Sequence, residues 1–183
     1  FKALFTVGDA LDIGQEFLMK QTTLSLFVGV MATSLSVVVG QDVHMLVDAA
    51  RNGDQDSVNT LRVMAERGDA EAQYYLGSLF TVVDSDTEVD EELFEWNMLA
   101  AEQGHPGAMT NVGNLYALGQ GVQEDLESAY AWLNLAVERA IGEARVIAER
   151  NRDITGGLLT PEQLVAAKRR TNGMGSEIPV FSP

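Results

Sequence analysis

The chain has 183 residues, 46% of them apolar and 21% charged, enough for one domain with a continuous core. Its net charge of -15 argues against nucleic acid, whose phosphates need clustered Lys and Arg, and disfavours anionic membrane surfaces for the same reason. With no cysteine in the chain, disulfides, thiolate metal sites and cysteine nucleophiles are excluded.

Residues 1–18, FKALFTVGDALDIGQEFL, begin with Phe and lie upstream of a plausible start at Met19. They read as an extension outside the true product, or else as an N-terminal helix. Residues 19–40 have the grammar of a secretory signal: Met19-Lys20, an apolar run from Leu24 to Val39, and small residues at Val38 and Gly40 before Gln41. The run is shorter than the roughly 20 residues that comfortably span a bilayer. A cleaved signal therefore implies a periplasmic or secreted protein. An uncleaved anchor and a buried helix are the alternatives. Cleavage removes Lys2 and Lys20 against Asp9, Asp12 and Glu16, so the acidity belongs to the folded part.

From residue 65 onward the chain repeats itself. AERGDAEAQYYLGSLFTVV at 65–83 returns as AEQGHPGAMTNVGNLYALG at 101–119, a period of 36 with no gap. Ala65, Ala101 and Val137 align, as do Glu66, Glu102 and Glu138, and Ala72, Ala108 and Ala144. Gly68 matches Gly104, Gly77 matches Gly113, Phe80 matches Tyr116, and Trp96 matches Trp132. Such a period predicts stacked supersecondary units.

Each unit reads as a helix pair. Over 69–80, Ala72, Tyr75, Leu76, Leu79 and Phe80 recur at three- and four-residue spacing, one apolar stripe of a helix. Asp69 is placed to cap it, and Pro106 takes the first helical position in the next copy. A second helix over 91–103 ends at Gly104, suited to the left-handed turn that closes helices. Small residues at 72, 77, 108 and 113 let neighbouring helices approach. Further on, Thr160, Pro161 and Gln163 supply a cap, a first-turn proline and a capping-box partner. The expected organisation is a degenerate leading pair at 41–68, repeats at 69–104 and 105–140, a partial repeat with a capping helix at 141–171, and a tail at 172–183. Neither helix of a pair can hide its apolar face alone, so the fold class is an all-α solenoid.

Ala108, Val112-Gly113, Tyr116, Gly119-Gln120-Gly121-Val122, Asp125, Trp132 and Ala136 together resemble the Sel1-like repeat family, α-solenoid relatives of the tetratricopeptide repeats. The first copy keeps Ala72, Leu76-Gly77, Phe80, Trp96, Ala100-Ala101 and Gly104, but VVDSDTEVDEE at 82–92 replaces the glycine loop. A third copy begins at Val137 and decays, with Ala140 in place of the glycine. The resemblance covers residues 43–170. It implies a non-enzymatic module, an adaptor or regulator that binds a protein or peptide.

The inventory for chemistry is thin. His44 and His105 are the two histidines, and His105 stands at a helix start, where an exposed cap is expected. No metalloprotease, phosphate-loop, nucleophile-elbow or calcium-loop spacing occurs. ALGQGV at 117–122 follows a helix, so its glycines make an inter-helix turn. The acids Asp84, Asp86, Glu88, Asp90, Glu91 and Glu92 read as a solvated entry to a helix, with loose calcium binding as the alternative. Nothing calls for a cofactor or a bound metal. Trp96, Trp132 and Tyr130 are expected to pack between helices. Tyr74 faces away from Ala72 and Leu76, and with Ser78, Thr110 and Asn114 it can line a groove for an extended peptide, with a basic partner favoured by the acidic chain. The competing reading is an envelope-associated hydrolase of cell-wall or glycan substrates. Its carboxylates would be drawn from Glu66, Glu102 and Glu138, and would have to stand roughly 5 to 9.5 Å apart.

Overall fold

The computed structural model describes residues 42–79 and 87–181, with the backbone alone for 87–89. The signal at 19–40, the extension at 1–18, Phe80, and the acids Asp84 and Asp86 lie outside the described residues. Among those described there are eight helices and no strand: α1 Val43–Arg51, α2 Gln55–Glu66, α3 Ala70–Leu79, α4 Thr87–Glu102, α5 Pro106–Leu118, α6 Leu126–Arg139, α7 Gly142–Leu158 and α8 Pro161–Glu177.

Each helix packs on its neighbour in sequence from α1 to α7, and the first helices of successive pairs also touch: α1 with α3, α3 with α5, α5 with α7. This is the stacking expected of an all-α solenoid. Three tight turns, one within the first pair and two between pairs, are built alike. Gly53, Gly68 and Gly104 have φ of 91°, 92° and 91°. At the second of these, the Gly68 N–H bonds to the Ala65 carbonyl and the Asp69 N–H to that of Met64. At the third, the Gly104 N–H bonds to Ala101 and the His105 N–H to Ala100. The glycine takes the left-handed conformation that other residues adopt only with strain, so helix, turn and cap occupy three linking residues. Asp54, Asp69 and His105 then receive the first free N–H groups of α2, α3 and α5 through their side chains. At the fourth turn Ala140 replaces the glycine and stays extended, φ -75° and ψ 154°.

The core follows the repeat. Ala72 and Leu76 of α3 and Ala108 and Val112 of α5 are fully buried. An added Cβ at Gly77 would lie 2.2 Å from the Asn97 amide, and one at Gly113 would lie 2.5 Å from Leu133 Cγ. Asn97 and Leu133 are themselves one period apart, so the glycines mark the closest approach within each pair. Helix α6 is buried from Ala129 through Val137 except at Asn134, because α5, α7 and α8 all pack on it.

The third unit departs from the expected register. Ala144, aligned with Ala72 and Ala108, is exposed, as are all residues from 141 to 147. Helix α8 packs on α6 rather than continuing the repeat register. Arg170 of α8 bonds to Asp125 at 2.8 Å and to the hydroxyl of Ser128, tying it to the start of α6. The capping box at Thr160 and Gln163 forms. Helix α8 continues to Glu177, through residues expected to be tail, and α4 begins at Thr87, four residues ahead of the expected start at 91.

Candidate functional site

The groove residues suggested by the sequence sit on the first helices: Tyr74 and Ser78 on α3, Thr110 and Asn114 on α5. All four are half-buried, and the side-chain polar groups of Ser78, Thr110 and Asn114 are hydrogen-bonded. The Ser78 hydroxyl donates to the Tyr74 carbonyl at 2.8 Å and accepts from the Asn111 amide at 3.2 Å. The Thr110 hydroxyl donates to the Pro106 carbonyl. Asn114 accepts from the Asn151 amide at 3.0 Å. Asn111 also donates to the buried Asn97 at 2.9 Å. These contacts form a polar ladder that joins α3 to α5 and α5 to α7, fixing the spacing between repeats.

Tyr74 belongs to a second arrangement. Its ring stacks on His105, centroids 4.4 Å apart and planes 25° apart, and His105 in turn meets the edge of Phe181 at 4.8 Å and 70°. His105 does cap α5, accepting the Ala108 N–H at Nδ1, but it is not the exposed cap expected from sequence. Only 8% of its surface is free, because Tyr74 and Phe181 cover it. Burial drives its pKa down to about 4, so the ring is neutral at pH 7. With Nδ1 taken by the helix N–H, the imidazole offers its flat face and its Nε2–H.

The residues after α8 run back over the inter-pair turns. Arg139, in the last turn of α6, donates from its guanidinium to the carbonyls of Ile178 at 2.9 Å and of Pro179. At Gly104 an added Cβ would lie 2.3 Å from the Pro179 oxygen and 2.9 Å from the Phe181 nitrogen. Phe181 then borders a cavity of about 320 Å³ whose other walls are Val43, the stretch from Gly68 to Glu71, and Gln103. Gln103 donates to Gln73, which is buried and donates to the Ala65 carbonyl. Glu71 stands 3.5 Å from His44 Nε2, and His44 shares a 2.9 Å hydrogen bond with the Tyr75 hydroxyl. Sequence reading singled out neither Arg139 nor Phe181. A basic residue in a last helical turn is commonplace, and a lone aromatic after a helix carries no periodic signal.

The remaining sequence candidates are distributed through the scaffold. Glu66, Glu102 and Glu138 lie at or near the C-terminal ends of α2, α4 and α6, one per pair, and all are exposed; Glu138 accepts from Asn134. They recur because the repeat does. Asp90 accepts from Gln120 at 2.9 Å. Glu92 accepts from Arg62 at 2.6 Å and from the Trp96 indole at 3.1 Å, the latter bond leading in holding its carboxyl below the ordinary range. Among the described residues no group of three or more His, Asp or Glu is placed to hold a metal ion, and no helix is long and apolar enough to cross a membrane. Trp132 and Tyr130 are buried and Trp96 half-buried, as inter-helix packing requires.

No family model and no curated protein matches the chain. Among solved structures, a protective antigen present in uropathogenic Escherichia coli strains, described as displaying an SLR fold, superposes with a TM-score of 0.64 at 26% identity. The chain has the fold of a Sel1-like repeat solenoid. The match covers 75% of this chain and 30% of that one, so the chain spans less than a third of the antigen's length. In these terms α3–α4 and α5–α6 are the two repeats that keep the motif, with their first helices stacked on one another.

Proposed function

We propose that the chain is an exported, non-enzymatic interaction module, an adaptor or regulator that holds a protein or peptide against its helical surface. The observation that carries this reading is the continuous row of α3, α5 and α7, locked side chain to side chain through Ser78–Asn111 and Asn114–Asn151. A row of this kind is a preorganised surface, so a partner binds without first ordering it. The Sel1-like repeat fold supports the same role. The net charge of -15 favours a basic protein or peptide over nucleic acid, and the signal-like stretch at 19–40 supports periplasmic or secreted placement. Affinity capture with the full chain at low and high salt tests the reading. A specific partner should be retained by the wild type and lost by Tyr74→Ala and Thr110→Arg variants that still fold. Partners retained equally by all three would overturn it.

A further inference from the structure

We propose that the furrow over the inter-pair turns, from Arg139 past Gly104 and His105 to the cavity beside Gly68, is a binding site for an extended peptide bearing an aromatic side chain. The chain's own residues 178–181 occupy it as a stand-in. This rests on the reading of the chain as an interaction module and adds to the α3–α5–α7 row a second contact site with a stated ligand.

Three features make the furrow indifferent to most of the occupant's sequence. Arg139 grips main-chain carbonyls, those of Ile178 and Pro179, which every peptide possesses. Gly104 admits the occupant's backbone against its own, at distances that any Cβ would close off. Both Pro179 and Val180 leave their side chains in solvent, so those positions are not read. Selectivity enters at one place. The Phe181 ring meets the edge of a neutral, buried imidazole that is backed by Tyr74, an aromatic seat preassembled by the repeat. Main-chain hydrogen bonds for affinity and a side-chain seat for specificity are the usual division of labour in recognition of extended peptides.

The cavity adds a further preference. Past Phe181 there is about 320 Å³ of space bordered by Asp69 and Glu71, large enough for another side chain. The resident tail continues with Ser182 and Pro183 in sequence, neither with a basic side chain. A peptide with Lys or Arg after its aromatic residue matches those walls better than the tail does. The tail is held by its contacts to Arg139, its approach to Gly104 and one ring, few enough for ordering entropy to oppose them. A competing segment with the basic residue can therefore displace it.

The probe is a fluorescent peptide, Ser-Glu-Ile-Pro-Val-Phe-Ser-Pro, together with versions that carry Lys after the Phe or Ala in place of the Phe. Anisotropy titrations use the full chain and its Phe181→Ala variant, which keeps every helix but vacates the aromatic seat. The variant should bind the probe at least 5-fold more tightly than the wild type. The Lys version should bind more tightly still at low salt, and the Ala version at least 10-fold more weakly. Adding Arg139→Ala to the variant should lower binding again. Equal binding by wild type and Phe181→Ala, or binding indifferent to the probe's Phe, would overturn the proposal. If that happens while the capture experiment still returns a partner sensitive to Tyr74→Ala and Thr110→Arg, the furrow is excluded and the interaction module stands. A dimer of the wild type that dissociates on Phe181→Ala would show that the tail serves a second copy, and would also overturn it.

Discussion

Replacing Gly113 by Ala should destabilise the protein although it adds a better helix former to a helix interior. The new Cβ would stand 2.5 Å from Cγ and 3.0 Å from Cδ2 of Leu133, and 3.1 Å from the Ala129 carbonyl, whereas carbon atoms rest at about 3.5 to 4.0 Å. Leu133 is fully buried and Ala129 is backbone, so α5 and α6 must part by about 1 Å along their tightest contact. Overpacking of this kind costs about 1–3 kcal/mol. The gain in helix propensity returns about 1 kcal/mol, leaving a net loss of about 1 kcal/mol. For a chain of this size that lowers Tm by about 2–4 °C. The matched control is Gly173→Ala in α8, where nothing lies within 4 Å of the added carbon, and there propensity alone should raise stability by about 0.5–1 kcal/mol. Thermal unfolding followed by circular dichroism reads both. A Gly113→Ala protein that melts at or above the wild type would refute the close packing inferred for α5 and α6.

Two further predictions follow from buried polar groups. Asn97 is fully buried, donates to the carbonyls of Gly77 and Leu93, and accepts from Asn111. Asn97→Ala should cost about 2–3 kcal/mol in urea denaturation, and Asn97→Leu, which installs the residue found one repeat later at 133, should cost less. His105 is held near pKa 4 against 6.5 when unfolded, so the unfolded chain takes up its proton first as the solution acidifies. The associated stability is complete above about pH 6.5 and declines as pH falls to about 4, a loss of about 3 kcal/mol. His105→Asn keeps the cap and removes the titration. Its urea midpoint should therefore fall less than that of the wild type between pH 7 and pH 4.5, and parallel falls would show that His105 does not titrate in this window.

Much of the scaffold was legible in the residue order because it is decided by contacts a few residues apart. The 36-residue period, the caps at Asp69 and Thr160, Pro106 at the first helical position, and the turn glycines 68 and 104 all act through local backbone geometry. Pattern could likewise single out Gly77 and Gly113, since a small residue returning in register marks a close approach. The groove set was read less completely. Helical angles placed Tyr74, Ser78, Thr110 and Asn114 on the first helices, but whether their polar groups were free depended on Asn111 and Asn151, which lie on neighbouring turns of the stack.

What the sequence alone determined is the unit: two helices, their caps and the turn between pairs, repeated. Tertiary structure alone decided how the series ends. Helix α8 packs on α6, burying Ala167 and Thr171, with Arg170 paired to Asp125, 45 residues away, and Arg139 reaches the carbonyls of Ile178 and Pro179 about 40 residues on. The covering of His105 by Phe181 follows from that return of the chain. Periodicity describes neighbours along the chain, and these contacts join segments that become neighbours only after the solenoid has stacked.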